Sequence, residues 1–446
     1  MRFYLLTLGC PKNTVDSEMM GELLRRAGHT AVDAPRRADA IIVNTCGFIE
    51  AARAESYGEL RALAAKKRRG QRLVAVGCLA QRYGDEVRRH VPQVDAVLGT
   101  QAWPEIVSLM ERLEEGQPIA PVLEGRREAL VTSISRRVAP PALAGAPSAY
   151  IKVADGCDAS CAFCAIPLIK GPQRSKRETD VVREARELAA RGTREAVLIA
   201  QDTTAYGRDL GLRDALPGLM RAILHAAPDL AWLRVLYAYP QNVSPALIGV
   251  LAEEERACRY LDLPLQHAHP DVLRRMRRPH DVDQVYRLID DLREAMPDVA
   301  LRSTFIVGFP GETEAEFEAL LDFLEEMALD NVGVFAYSAE EGTAAAAMTD
   351  HVPAEVIAER YDRAMTVQQH VSLARNRAQV GRELDVLVEG VGDGLSVGRS
   401  YREAPEIDGL VLVPGETVVG DIIRARVVAA QEYDLIAEMT QSGVAR

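Results

Sequence analysis

Short apolar runs alternate with amphipathic stretches of helical period along the first part of the chain. FYLLTLGC (Phe3–Cys10), a helix through Ser17 to Ala27, AIIVNTC (Ala40–Cys46), a long helix and LVAVGC (Leu73–Cys78) follow one another. That alternation predicts an α/β domain on a parallel sheet. From Ala149 onward the rhythm repeats with six apolar runs: AYIKVAD, AVLIAQD, WLRVLYAY, RYLDLPLQ, ALRSTFIVG and NVGVFAYS. Amphipathic segments such as Thr179–Ala190 and Glu314–Met327 mostly separate them, which predicts six βα units in an open barrel rather than a closed eightfold one. Pro353 then opens a long helix, Ala354 to about Gln379, with Gly381 beyond its end. Past it, short strands with glycine-rich turns predict a small β-barrel.

The stretch between the first two patterns, RRVAPPALAGAPS, has neither period and reads as a linker at 136–148. The expected organisation is therefore an N-terminal parallel α/β domain (1–135), the linker, a central open six-unit βα barrel (149–378) and a C-terminal β-barrel (379–446).

Composition narrows the class. Hydrophobic residues make up 48% of the chain and charged residues 26%, and no apolar run approaches a membrane span. The N-terminus has no export-signal pattern, so the expected location is the cytoplasm, away from membranes. Seven cysteines, an odd number in such a chain, point to metal binding or catalysis rather than a disulfide framework. The formal net charge of −12 disfavours nucleic acid as a long-range partner and favours basic ones. The basic run Lys66–Arg69 is expected to close a helix, where cations suit the negative end of the helix dipole.

Two sets of cysteines carry the chemistry. Cys10, Cys46 and Cys78 each end one of the first three apolar strands. Because ligands of open parallel sheets gather at the carboxyl ends of strands, the three should meet at one sheet edge. Cys157, Cys161 and Cys164 make CxxxCxxC in GCDASCAFCAIP, directly after the first barrel strand. Three thiolates on one short loop can hold three irons of a cubane cluster. Zinc would require a fourth ligand, and no further Cys or His is nearby in sequence. Cys258 stands apart, as expected of a core residue. His267 and His269 are expected to make ordinary packing or loop contacts.

The CxxxCxxC loop, with aromatic Phe163 before its last cysteine, resembles that of the radical-SAM superfamily. The resemblance implies a 4Fe-4S cluster on Cys157, Cys161 and Cys164, with its open iron chelated by S-adenosylmethionine. One electron then cleaves the cofactor to a 5'-deoxyadenosyl radical able to attack an unactivated carbon. It also implies cofactor contacts for Phe163, for Gln201 and Asp202 in AQDTTAYG, and for Gly308 and Gly311 in FIVGFPGET. In the last motif Thr304 stands where the superfamily has its first glycine.

Over essentially the whole chain the sequence is similar to the methylthiotransferases, whose C-terminal barrel is the TRAM domain. In that family Cys10, Cys46 and Cys78 would hold a second 4Fe-4S cluster that binds or supplies the inserted sulfur. LGCPKNTVDSE, NTCGFIEAARAES and ADGCDASCAFCAIPLIKGPQRS resemble the RimO branch, which modifies an aspartate of small-subunit ribosomal protein twelve. The implied partners are that basic protein, free or on the ribosome, and an electron donor such as flavodoxin or ferredoxin.

From Gly381 onward six arginines face twelve acids, a local balance of −6. An RNA-gripping module should be basic, so this one should instead offer an acidic docking surface to a basic protein, without direct nucleic-acid reading. The alternatives are tRNA adenosine methylthiolation and a non-enzymatic iron-sulfur electron carrier or sensor.

Overall fold

The computed structural model describes residues 1–117, 119–124 and 146–440. Most of the linker expected at 136–148 lies outside the described residues, and its last residue, Ser148, already opens a strand. Two compact units are present. One gathers the N-terminal fold with Lys152–Glu184 and Ser338–Ala346; the other holds Ala185–Tyr337, the residues from Ala347 on, and the chain just before Lys152.

In the first unit, β1 (Arg2–Thr7), β2 (Thr30–Ala31), β3 (Ala40–Thr45), β4 (Arg72–Gly77) and β5 (Ala96–Gly99) form one sheet in the order β2-β1-β3-β4-β5. Every pairing is parallel. All six residues of β3 are buried, as a strand covered on both faces requires. Ile41, Val43, Leu73, Ala75 and Val97 form the core with Leu60 and Val87 from the covering helices.

The first helix, α1, runs Pro11–Arg26 and so starts directly after Cys10 rather than at Ser17. Lys12, Asn13, Asp16 and Ser17 are buried in it. Polar residues on the inward face removed the apolar stripe by which a helix is ordinarily recognised. Helices α2 (Glu50–Ala65) and α3 (Cys78–His90) follow β3 and β4, and Lys66 caps α2 as the charge argument expected.

The central fold contains β6 (Ser148–Lys152), a short antiparallel pair β7 (Ala154–Asp155) and β8 (Arg174–Ser175), then β9 (Glu195–Ile199), β10 (Trp232–Val235), β11 (Tyr260–Asp262), β12 (Ala300–Val307) and β13 (Asn331–Ala336). The six long-range strands make two three-stranded sheets, β10-β9-β6 and β11-β12-β13. The backbone N–H of Ala238 donates to the Asp262 carbonyl at 2.9 Å, stitching the end of β10 to β11.

After the helix Ala354–Arg377, β14 (Glu383–Gly392), β15 (Leu395–Arg399), β16 (Val411–Pro414), β17 (Ile422–Ala430) and β18 (Leu435–Met439) close into a barrel in the order β14-β15-β16-β18-β17. Its interior is filled by Val386, Val388, Val413, Ile423, Val427 and Leu435. Among the described residues no helix is long and apolar enough to cross a membrane.

The acidic docking surface expected on this barrel is narrower than the residue count implied. Glu403 is buried, and the Asp408 carboxylate lies between Tyr260 Oη at 2.7 Å and Arg302 Nε at 3.3 Å. Glu383, Asp385 and Glu389 pair with Arg426, Arg424 and Arg399. Asp434 and Glu416 accept backbone N–H groups. Much of the charge is structural, because a buried or paired carboxylate offers a partner little field.

A buried charge cluster ties the barrel to the central fold. Glu195, the first residue of β9, accepts from Arg234 Nε at 2.7 Å and from Arg399 Nη2 at 2.5 Å, all three being at most 1% exposed. Burial alone would raise the Glu195 carboxyl, but the two guanidiniums hold it down at about 2.

Candidate active site

The three N-terminal cysteines meet because their strands are neighbours. In register, Thr7 of β1 lies against Asn44 of β3, and Thr45 of β3 against Gly77 of β4. The chain therefore leaves all three strands at one edge. Glycines let the loops touch. A Cβ on Gly9 would stand 2.8 Å from Cys46 Cβ and 3.0 Å from its Sγ, and one on Gly77, at φ +97°, would stand 2.2 Å from Asn44 Oδ1.

Asn13, in the first turn of α1, knits the loops together. Its amide N–H groups donate to the carbonyls of Leu8 at 2.8 Å and Thr45 at 3.4 Å, while its Oδ1 accepts from Cys78 Sγ at 3.6 Å. Behind it, Asn44 donates to the Asn13 carbonyl and to Ser17 Oγ, both at 2.9 Å.

Cys10 is exposed, whereas Cys46 and Cys78 are buried. Burial pushes both buried thiols up, and their neighbouring cysteines add to it; at Cys78 the Lys170 ammonium opposes the rise. Deprotonating all three together would need a multivalent cation between them to offset burial and mutual repulsion. This donor set therefore fits an iron-sulfur cluster.

The second set occupies the loop between β7 and the helix Ile166–Lys170. The Cys157 N–H donates to the Gly171 carbonyl at 3.1 Å and the Cys164 N–H to the Cys161 carbonyl at 3.2 Å, folding the loop back on itself. The Ala159 N–H donates to Cys157 Sγ at 3.4 Å, a contact that favours the thiolate. All three cysteines, and Phe163 among them, are partly exposed. Three partly exposed thiols on one loop would fit a cluster. Ala165, at the far end of this loop, and Ile169, in the helix that follows, form one buried cluster with Cys78. The six cysteines thus lie in one compact unit.

The other expected cofactor residues belong to the second unit. Gln201 is partly exposed at the end of β9. The Asp202 carboxylate caps the turn Thr203–Ala205 by accepting from Thr204 Oγ1 at 2.6 Å, the Ala205 N–H at 3.1 Å and Asn242 Nδ2 at 3.0 Å. Burial nevertheless raises its carboxyl. Gly308 and Gly311 form the turn after β12, and the Gly308 N–H donates to both oxygens of Glu312, at 3.1 and 3.0 Å. Arg360 Nη1 donates to Glu312 Oε1 at 2.8 Å.

His267 Nε2 lies 3.5 Å from Glu312, and Nδ1 of the same ring accepts the His269 N–H at 3.0 Å. Burial lowers the His267 pKa, so the ring is a neutral spacer behind the glycine turn. His269 caps a helix by accepting the Asp271 N–H at 3.2 Å. Both histidines thus make loop contacts. Cys258 is buried in the second unit, where the charges that act on it are Arg234, Glu195 and Arg399.

Sequence reasoning missed the residues that brace these loops: Asn13, Asp16, Lys152, Lys170 and Glu312. A signal existed for Lys152, which interrupts the apolar strand AYIKVAD. A lysine there is buried only with a partner.

Three family models match the chain: the uncharacterized protein family UPF0004 over residues 2–99, the radical SAM superfamily over 151–324 and the TRAM domain over 380–440. Similar curated proteins include the ribosomal protein uS12 methylthiotransferase RimO of Chloroflexus aurantiacus, 50% identical over 98% of this chain and 99% of that protein. The protein of the same name from Roseiflexus sp. is 49% identical over 99% and 98%. This chain belongs to the RimO family of radical-SAM methylthiotransferases.

Both cysteine sets of this RimO-family enzyme fall inside the matched segments. Among solved structures, the radical S-adenosylmethionine methyltransferase TsrM from Kitasatospora setae has a TM-score of 0.56 at 16% identity, over 75% of this chain and 72% of that one. The cobalamin-dependent S-adenosylmethionine radical enzyme OxsB has 0.51 at 11%, over 82% and 56%. At such identities they show that the RimO-family chain shares a fold with radical-SAM enzymes and nothing finer.

Proposed function

We propose that this enzyme methylthiolates the β-carbon of an aspartate in ribosomal protein uS12. The observation that carries the reading is the pairing of two three-cysteine sets within one compact unit, with the residues after Cys164 packed on Cys78. A simple electron carrier has no use for a glycine turn of the kind that the radical-SAM superfamily places against its cofactor, and the RimO relatives align over nearly the full chain.

Cys157, Cys161 and Cys164 are assigned to one 4Fe-4S cluster and Cys10, Cys46 and Cys78 to the second. Phe163, Gln201, Asp202, Gly308 and Gly311 are assigned contacts to S-adenosylmethionine. When bound, the first cluster would supply the electron for reductive cleavage of S-adenosylmethionine, and the second would hold the sulfur. The chain itself positions and shields. The Ala159 N–H stabilises charge on Cys157, the Asn13 amide holds the backbone just before Cys10 and Cys46, and Glu312, braced by Arg360, keeps the Gly308 turn in one conformation. No side-chain base is required at the substrate carbon, whose hydrogen is not acidic. The reducing equivalents come from a flavodoxin- or ferredoxin-type donor in the cytoplasm.

The test is reconstitution with iron and sulfide, then incubation with S-adenosylmethionine, a reductant and uS12, followed by peptide mass mapping. Gain of one methylthio group on a single aspartate is expected. An unmodified uS12 alongside methylthiolated adenosine in added tRNA would reject the protein substrate.

A further inference from the structure

Four charged side chains form a closed box in the first unit. Lys152, at the end of β6, pairs with Asp16 of α1 and, at 3.1 Å, with Asp155 of β7. Lys170, at the end of the helix Ile166–Lys170, pairs with Asp16 at 2.9 Å and with Asp155 at 3.4 Å. None of the four side chains is more than 6% exposed. Two ammonium groups and two carboxylates balance, which is the condition for keeping charge inside a protein.

The placement of the box matters more than its stability. Lys152 precedes and Lys170 follows the segment that carries Cys157, Cys161 and Cys164, so Asp16 and Asp155 together fasten the two ends of that segment. Asp16 lies one helical turn from Asn13, whose side-chain amide holds the backbone just before Cys10 and Cys46. The neighbour of Lys170, Ile169, belongs to one buried apolar cluster with Cys78 and Ala165. Buried ion pairs are a poor source of stability compared with apolar packing of the same volume, because desolvation offsets their attraction. What they impose is direction and distance, through hydrogen bonds of fixed geometry.

We propose that the Asp16–Lys152–Asp155–Lys170 box is a positioning device that sets the separation of the two cysteine sets and thereby couples cofactor cleavage to sulfur transfer. The proposal rests on the reading above, in which both sets hold clusters. The four residues touch neither substrate nor reacting atoms; they act through the loops they hold.

The experiment uses the reconstituted full-length enzyme. The charge-balanced variant Asp16→Asn/Lys170→Gln leaves the Lys152–Asp155 pair in place and replaces the other ion pair by an amide contact. Lys176→Gln/Glu184→Gln removes a different pair, equally buried in the same unit at 2.6 Å, and serves as the control. Three quantities are read for each: iron per chain, the magnetic interaction between the two clusters in the electron paramagnetic resonance spectrum after dithionite reduction, and methylthio product per 5'-deoxyadenosine.

Misplacement of reacting groups by about 1 Å can cost about a hundredfold in rate, so the product ratio of the box variant should fall at least about tenfold. It should do so with full iron, an altered magnetic interaction and continuing 5'-deoxyadenosine formation, while the control keeps the native ratio. An iron-replete box variant with native interaction and native ratio overturns the proposal, and so does loss of iron in step with the control. Were the unaltered enzyme to make 5'-deoxyadenosine without modifying uS12, the substrate reading would fail, and the magnetic interaction would still judge the box.

Discussion

At the scale of single residues, the seven cysteines divide by surroundings rather than by burial. Cys78 and Cys258 are both buried, and burial pushes the Cys258 thiol up to about 12. Cys78 has two other cysteines within electrostatic reach, whereas Cys258 has only Arg234, Glu195 and Arg399. Cys258→Ala should leave iron content unchanged and lower stability by about 1 kcal/mol, as expected for removing one small buried side chain. Cys78→Ala should cost about half of the iron, one of two clusters. Iron assay and thermal unfolding of the two variants together check the distinction. Burial alone could not have separated these cysteines in the sequence; the separation came from Cys78 ending a strand and Cys258 preceding one.

At the scale of elements, the sheet edge depends on a few close approaches. Gly77 has φ +97°, and a side chain there would also meet the Thr45 carbonyl at 2.6 Å. Gly77→Ala should therefore lose at least about 2 kcal/mol from backbone strain alone. It should also reduce iron retention at the N-terminal set, measured by iron assay against Gly58→Ala, where nothing lies within 4 Å. The strands ending in Cys10, Cys46 and Cys78 were legible because buried parallel strands read as apolar runs. The start of α1 was not, since its inward residues Asn13, Asp16 and Ser17 are polar and serve the loops instead of a core. The strands Thr30–Ala31 and Ala96–Gly99 were missed for a plainer reason: they are too short to carry a period. Contacts such as Arg399 with Glu195 join residues 204 positions apart, and nothing local in either segment announces the other.

At the scale of the whole molecule, the Glu195 cluster sets the response to acid. Its folded-state carboxyl is held at about 2, below the ordinary value of 4.5. A depressed carboxyl contributes stability that is complete above the ordinary value and is lost as pH falls through the depressed one. Stability should therefore decline across the window from about pH 4.5 to about pH 2. Glu195→Gln should flatten that decline and cost about 3 to 5 kcal/mol at neutral pH, because two guanidiniums are left short of charge; urea unfolding across a pH series measures both. The same cluster bears on modularity. In this chain Arg399 reaches from the barrel into the first residue of β9 and balances a carboxylate that has no access to water. Excision would leave Glu195 with one of its two guanidiniums, so the C-terminal barrel behaves as part of the central fold's interior.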